Sequence, residues 1–174
     1  MALVPGGYLL GATPFGVLVS RLLGKPDPRR GGSGNIGATN VARLSGRAAG
    51  VATLLLDLGK GYLPTLLASH WLPAGQAVLV GLAAFAGHVW PVYLRFKGGK
   101  GVATALGVYL ALAPWAFLGS LAAFGAGVWL SGHVSVGSLA AAGSAPLWML
   151  VLGQPLPHAL ACLLLGGLVA WRHR

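Results

Sequence analysis

Ala77-Val78-Leu79-Val80-Gly81-Leu82-Ala83-Ala84-Phe85-Ala86-Gly87-His88-Val89-Trp90-Pro91-Val92-Tyr93-Leu94 runs for 18 residues without Asp, Glu, Lys or Arg, and Arg95-Phe96-Lys97-Gly98-Gly99-Lys100-Gly101 follows at once. An uncharged apolar run of this length suits a helix crossing a membrane, which needs about 20 residues for a hydrocarbon layer of about 30 Å. The abrupt change to basic, Gly-rich sequence marks the return to water. The same alternation fills the chain. Apolar segments run over Leu3–Leu23, Ala48–Ser69, Ala77–Leu94, Val102–Ala113, Trp115–Leu130, Leu139–Leu152 and His158–Trp171. Trp71 ends the second as an interfacial anchor, and Pro114 separates the fourth from the fifth. The chain has 174 residues, 56% hydrophobic and 8% charged. A soluble domain carries roughly 25% charged residues, so lipid must solvate most of this exterior. The expected fold is an all-α integral membrane bundle of seven spans, one transmembrane domain over 1–174. The first span has no basic region before it and reads as retained, not as a cleaved signal.

Charge sets the orientation. Twelve Lys+Arg stand against two Asp+Glu. Arg21, Lys25, Arg29, Arg30, Arg43 and Arg47 surround the loop Gly24–Gly46. Arg95, Lys97 and Lys100 follow the third span, and Arg172 and Arg174 end the chain. The connections at Trp71–Gln76, Pro114 and Gly153–Pro157 have no Lys or Arg. Seven spans put all the basic loops on one side, which the positive-inside rule makes cytoplasmic, with the N-terminus outside. Six would strand Arg172 and Arg174. The basic residues form no groove-like stripe with the aromatics, so the excess is read as topology plus an anionic ligand, not nucleic acid. The lone Cys162, in an apolar run, is a packing residue.

Three polar breaks carry the chemistry. The first holds Gly31-Gly32-Ser33-Gly34-Asn35-Ile36-Gly37-Ala38-Thr39-Asn40-Val41-Ala42-Arg43. Its glycines match G-x-G-x-x-G, but no strand precedes them, so a dinucleotide fold is rejected. What remains is an anion site: backbone amides bared by glycine, neutral donors at Ser33, Asn35, Thr39 and Asn40, and the planar fork of Arg43. The second, Lys97-Gly98-Gly99-Lys100-Gly101, is not a Walker A loop, because Gly101 stands where Ser or Thr is needed. It opens a helix, so bare amides, the dipole and Lys100 favour an anion. His88, just upstream, is either structural or part of this site. The third, Ser131–Ser138, offers hydroxyls either to a ligand or to the cap of the next helix. Asp57 and Lys60, three apart within a span, form either a buried ion pair or a pair facing the phosphate site. No cluster of His, Cys, Asp and Glu offers a metal site. No His is followed five residues on by Asp, so the H-x4-D dyad of common glycerolipid acyltransferases is missing. Two carboxylates supply little acid–base chemistry, leaving positioning, charge stabilisation or a group on the substrate.

Ser33-Gly34-Asn35-Ile36-Gly37-Ala38-Thr39-Asn40, Leu56-Asp57-Leu58-Gly59-Lys60-Gly61, Gly87-His88 and Lys97-Gly98-Gly99-Lys100-Gly101-Val102-Ala103-Thr104 resemble the bacterial acyl-phosphate:glycerol-3-phosphate acyltransferases, the PlsY family, over essentially the whole chain. The resemblance implies a seven-span inner-membrane enzyme with its site on the cytoplasmic face. It would move a fatty acyl group from acyl phosphate to glycerol 3-phosphate, giving lysophosphatidate and phosphate, without a cofactor and without using acyl-CoA. It implies a substrate-assisted mechanism, with Ser33, Arg43, Lys100 and Ser138 as principal active-site residues. Gly34, Asn35, Thr39, Asn40, Lys60, His88, Lys97, Gly98, Gly99, Gly101 and His173 would line the phosphate-binding surroundings. Two departures stand out. Gly132 and His133 occupy positions where the family places a basic residue and an aromatic. The family continues with a polar tail containing a functional Asn, whereas this sequence stops at Arg172-His173-Arg174, so either the sequence is cut short there or the protein lacks that residue. A small organic-phosphate transporter is the rival reading. Transporters keep polar residues near the midplane, whereas here they gather at one side.

Overall fold

The computed structural model describes residues 3–173. Among them are nine α-helices and no strand. In chain order these are α1 (Leu3–Ala12), α2 (Phe15–Leu22), α3 (Ala38–Ser45), α4 (Arg47–Trp71), α5 (Ala74–Val89), α6 (Val102–Leu112), α7 (Pro114–Ser131), α8 (Val134–Val151) and α9 (Leu156–Trp171). Arg174, counted above with the basic end of the chain, lies outside the described residues.

Three expectations change in detail. The first apolar segment is a pair of helices, α1 and α2, bent by 44° at Thr13-Pro14. Proline has no N–H to continue the ladder, and its ring collides with the preceding turn. The loop Gly24–Gly46 contains α3, an eight-residue helix between Gly37 and Gly46 whose Val41 is fully buried. The third break shrinks to Gly132-His133, with Gly132 in the left-handed region at φ +70°, so Ser135 and Ser138 belong to α8. Four stretches, Arg47–Trp71, Ala74–Leu94, Pro114–Ser131 and Val134–Val151, are long and apolar enough to cross a membrane, and the bent pair makes a fifth. α6 and α9 are apolar but shorter, at 11 and 16 residues.

Small residues set the packing, as expected where lipid supplies no hydrophobic drive between helices. α1 and α5 run parallel, with Gly7 against Val80 and Gly11 against Ala84. A Cβ on Gly11 would overlap the Ala84 carbonyl, so this contact requires glycine. α4 and α6 cross in the same way, Gly61 lying on Thr104 and Gly107 on the Leu58 carbonyl. α6 therefore starts beside Gly61, about four turns into α4 from Arg47. Phe85 and Val89 of α5, Val108 and Tyr109 of α6, Met149 of α8, and Leu165 and Val169 of α9 form the buried core. Leu55, Leu63, Trp115, Trp129, Leu150 and Leu163 point outward, as lipid-facing side chains do. Because the bundle alternates in direction, the ends of α2, α5 and α9 and the starts of α4 and α6 face the same side, the end of α2 beside the start of α4 and the ends of α5 and α9 beside the start of α6, further along α4. The Tyr8 hydroxyl donates to the Trp90 carbonyl at 2.7 Å, and Trp90 packs on Trp171 with ring centres 6.3 Å apart.

Candidate active site

The first polar loop is organised from inside by one side chain. Asn40, in the first turn of α3, is 3% exposed. Its Nδ2 donates to the carbonyls of Pro28 (2.9 Å), Gly31 (3.1 Å) and Asn35 (2.9 Å). Its Oδ1 accepts the Ser33 N–H at 3.0 Å. Asn35 closes a smaller turn by accepting the Gly37 N–H at 2.9 Å, and the Gly34 N–H is taken by Gly31. The amides of Ser33, Gly34 and Gly37 are thus spent within the loop, whereas those of Ala38 and Thr39, in the first turn of α3, have no partner within the helix. Beside them the loop presents side chains outward. Ser33, Thr39 and Arg43 are exposed. Thr39 and Arg43 are four apart on α3 and so share a face. The Arg43 stem passes over Gly32, next to Ser33.

Asp27, upstream in the same loop, accepts from the Arg29 N–H and Nε, both at 3.0 Å, and caps the turn Pro28–Arg30. These Arg29 hydrogen bonds hold the Asp27 carboxyl down at about 2. Arg29 is thereby paired, while Arg30 and Arg43 have no carboxylate partner among the described residues, and the Arg43 stem is the one that passes over Gly32.

The second loop is held from beneath and from one side. The Gly99 N–H donates to the His88 carbonyl at 3.2 Å, and the His88 ring fills the space a Gly99 side chain would need. Gly98 lies on Pro91 and on the His88 and Val89 carbonyls. Arg172, at the end of α9, donates Nη2 to the Gly98 carbonyl (3.1 Å) and Nε to the Gly99 carbonyl (3.4 Å). With both carbonyls turned to Arg172, the Lys100 N–H points the other way. Gly101, at φ +85°, caps α6, whose first-turn N–H groups have no partner within the helix. An anion here meets bare amides and a positive dipole end together. Lys97 is exposed and Lys100 half-buried at this opening.

His173 and Ser138 complete this second group. His173 Nδ1 lies 2.8 Å from the Val169 carbonyl. Burial, and then the nearby Lys100 charge, push the His173 ring below its usual 6.5. Ser138 is buried on α8 and donates to the Val134 carbonyl at 2.8 Å. With Val102, Tyr109 and Val169 it lines a narrow apolar crevice between α6, α8 and α9. Ser33, Asn35, Thr39, Asn40 and Arg43 thus form one group, and Lys97–Gly101, His173 and Ser138 a second, at the same end of the bundle. Lys60 and His88 are in neither. Both are buried below the loops, Lys60 Nζ lying 2.8 Å from Asp57 Oδ1. Arg172 was read in the sequence as topology alone. Its partners are more than 70 positions away, and nothing local marks it.

A helical membrane bundle with two basic, hydroxyl- and amide-bearing surfaces at one end defines a membrane protein that handles phosphorylated molecules. The chain belongs to the glycerol-3-phosphate acyltransferase family, whose profile matches residues 1–174. A glycerol-3-phosphate acyltransferase of Desulfotalea psychrophila is 54% identical over 151 residues, covering 84% of this chain and 76% of the relative. One from Anaeromyxobacter is 47% identical, covering 100% of this chain and 89% of its own length. The crystal structure of PlsY (YgiH), an integral membrane glycerol 3-phosphate acyltransferase, in its glycerol 3-phosphate form, superposes with a TM-score of 0.95 at 41% identity. The match covers 99% of this chain and 86% of PlsY. The lysophosphatidic acid form of PlsY superposes with a TM-score of 0.91.

Proposed function

We propose that this protein acylates glycerol 3-phosphate to lysophosphatidate, the first acylation of phospholipid synthesis, with acyl phosphate as donor. It does so as a seven-span protein of the bacterial cytoplasmic membrane, a single domain over 1–174. The observation that carries the reading is the pairing of two phosphate-suited surfaces at one end of a bundle that closely matches PlsY in both its substrate and its product forms. α6 and α9 complete the seven spans, α6 as a short, buried one. The parallel course of α1 and α5 supports an N-terminus on the far side from the loops, outside the cell. The loops and the C-terminus then share the cytoplasmic face, where charge favours them.

Both substrates carry phosphate, which matches two anion surfaces. Acyl phosphate is a mixed anhydride, activated enough to need no covalent acyl-enzyme. The glycerol 3-phosphate hydroxyl attacks the acyl carbon, and the carbon–oxygen bond to phosphate breaks. The hydroxyl proton passes to a phosphate oxygen of the substrates, since among the described residues Asp27 is paired with Arg29 and Asp57 is buried with Lys60. In this reading Ser33, Arg43, Lys100 and Ser138 do the principal work. Arg43 and Lys100 stabilise phosphate charge as it develops, and the hydroxyls of Ser33 and Ser138 orient substrate. Gly34, Asn35, Thr39, Lys97, Gly98, Gly99, Gly101 and His173 line the surroundings. Asn40 shapes the first loop, and Lys60 and His88 support the site from below. The acyl chain stays among membrane lipids, along the apolar crevice next to Ser138. The test is turnover of the purified chain with palmitoyl phosphate and with palmitoyl-CoA, each with glycerol 3-phosphate. Lysophosphatidate should form with palmitoyl phosphate alone. Turnover with palmitoyl-CoA and none with palmitoyl phosphate would reject the donor.

A further inference from the structure

The buried charges of α4 have no place in the chemistry just described. Asp57 and Lys60 have side chains 2% and 1% exposed, so neither reaches a ligand. A buried ion pair is seldom needed for stability, since apolar residues of similar size often replace one at little cost. The contacts around this pair lead to both loops. Resting on the function proposed above, we infer that Asp57 and Lys60 are positioning residues that seat the two substrate surfaces together.

One arm starts at Lys60. Its Nζ donates to the Thr13 carbonyl at 2.8 Å, at the break between α1 and α2. It also stands 5.6 Å over the Phe15 ring, on the first residue of α2. Lys60 thus fixes the bend from which α2 departs. α2 carries the first loop: Gly16 lies against the Ile36 carbonyl so closely that a Cβ would overlap it. The Ser20 and Ser45 hydroxyls meet at 3.2 Å, joining α2 to the end of α3. Ser33 and Arg43 are held by this assembly.

The other arm starts at Asp57. Its Oδ1 lies 3.7 Å from His88 Nδ1. His88 holds Gly99 twice, by its carbonyl and by its ring. The next residue is Lys100. One carboxylate–ammonium pair therefore sits between the support of the first surface and the support of the second. A shift there tilts both surfaces relative to each other, and misplacement of about 1 Å is enough to cost a large factor in rate.

The decisive variant is the double substitution Asp57→Asn with Lys60→Met, which removes both charges without leaving one unpaired. Initial rates are measured against glycerol 3-phosphate and against the acyl donor, beside thermal unfolding. A purely structural pair would lower the folded fraction, and hence apparent kcat, with both KM values unchanged. Positioning raises both KM values and lowers kcat/KM for both substrates, by on the order of 100-fold for misplacement on the 1 Å scale. Unchanged KM for both substrates, or a rise for one only, overturns the shared role. If the double variant does not fold, two single variants read the arms separately. His88→Asn removes the ring that backs Gly99 and faces Asp57 while keeping the backbone bond, and Gly16→Ala pushes on Ile36. Each should raise KM for a different substrate, and wild-type kinetics in either would overturn that arm. Wild-type chain inactive with every donor would instead count against the proposed reaction. Glycerol 3-phosphate affinity, measured calorimetrically in the same variants, then reads the inference without turnover.

Discussion

Replacing Asn40 by alanine is expected to unfold the first surface while leaving the helices in place. The Asn40 amide touches four backbone groups, but Nδ2 has only two hydrogens for its three carbonyls, so about three bonds' worth is lost. At about 1 kcal/mol net for each, the loss is about 3 kcal/mol. Water reaches the exposed Ser33 and Gly34 next to it and replaces part of the loss, which leaves about 2 kcal/mol. For a chain of this size that lowers Tm by about 4–8 °C. The Ser33 hydroxyl and Arg43 guanidinium lose their mutual placement, so kcat/KM should drop by at least about 100-fold. Asn40→Asp is the informative companion. It keeps the acceptor for Ser33 N–H but sets a carboxylate against three carbonyl oxygens, and should be at least as damaging as alanine. The measurements are thermal unfolding in detergent and initial rates with both substrates. A wild-type Tm in Asn40→Ala, with a raised KM as the sole defect, would show Asn40 to be a ligand contact and refute its role as organiser.

Lys100→Ala should lower kcat by about 100-fold to 1,000-fold, or about 3–4 kcal/mol, with unfolding unchanged because the ammonium is half-buried at an opening; near wild-type turnover would reduce this loop to a topological anchor. Lys100→Arg should rescue in part only, since a planar fork replaces a compact charge. For topology, a membrane-impermeant thiol reagent applied from outside should label Gly75→Cys and spare Arg30→Cys, with the buried Cys162 giving little background; the reverse pattern would overturn orientation and site together. The Asp27–Arg29 pair gives a pH prediction. Its carboxyl is lowered from 3.8 to about 2 by the Arg29 hydrogen bonds, so its contribution is complete above 3.8 and is lost as pH falls toward 2. The pair is solvent-exposed, so Asp27→Asn should cost under about 1 kcal/mol at pH 7 and nothing below pH 2, read by acid unfolding of both proteins.

Hydropathy was sufficient to find the apolar segments, because each carries few charges and is bounded by Gly, Pro or basic residues. It missed the bend at Thr13-Pro14, since one proline interrupts a helix without changing its mean polarity. It missed α3, whose eight residues include Thr39, Asn40, Arg43 and Ser45 and average near neutral. Helix there comes from seating Val41 against Val19 and Ala49, a tertiary effect. The motif residues of the site were legible as types: hydroxyls, amides and cations beside glycine. Their division of labour was not. Asn40 looks like a donor to ligand until its four backbone contacts are seen, and Arg172 looks like an anchor until its guanidinium is found on Gly98 and Gly99.

The brevity of α6 has a consequence for the cell's energy supply. Eleven residues rise about 16 Å, roughly half the hydrocarbon thickness. At the start of α6 lies a polar, cation-bearing loop with Lys97 exposed and Lys100 half-buried. On the seven-span reading proposed above, only about three helical turns then separate the two aqueous phases, and in a cytoplasmic membrane they would hold back a proton gradient. Tyr109 and Leu112 of α6, with Ala113 and Ala116 at the turn into α7, are all buried and would form that plug. On that reading these positions would carry an electrical duty in addition to packing. A polar substitution at Leu112 is expected to show first as proton leak in reconstituted vesicles, before any loss of acyl transfer.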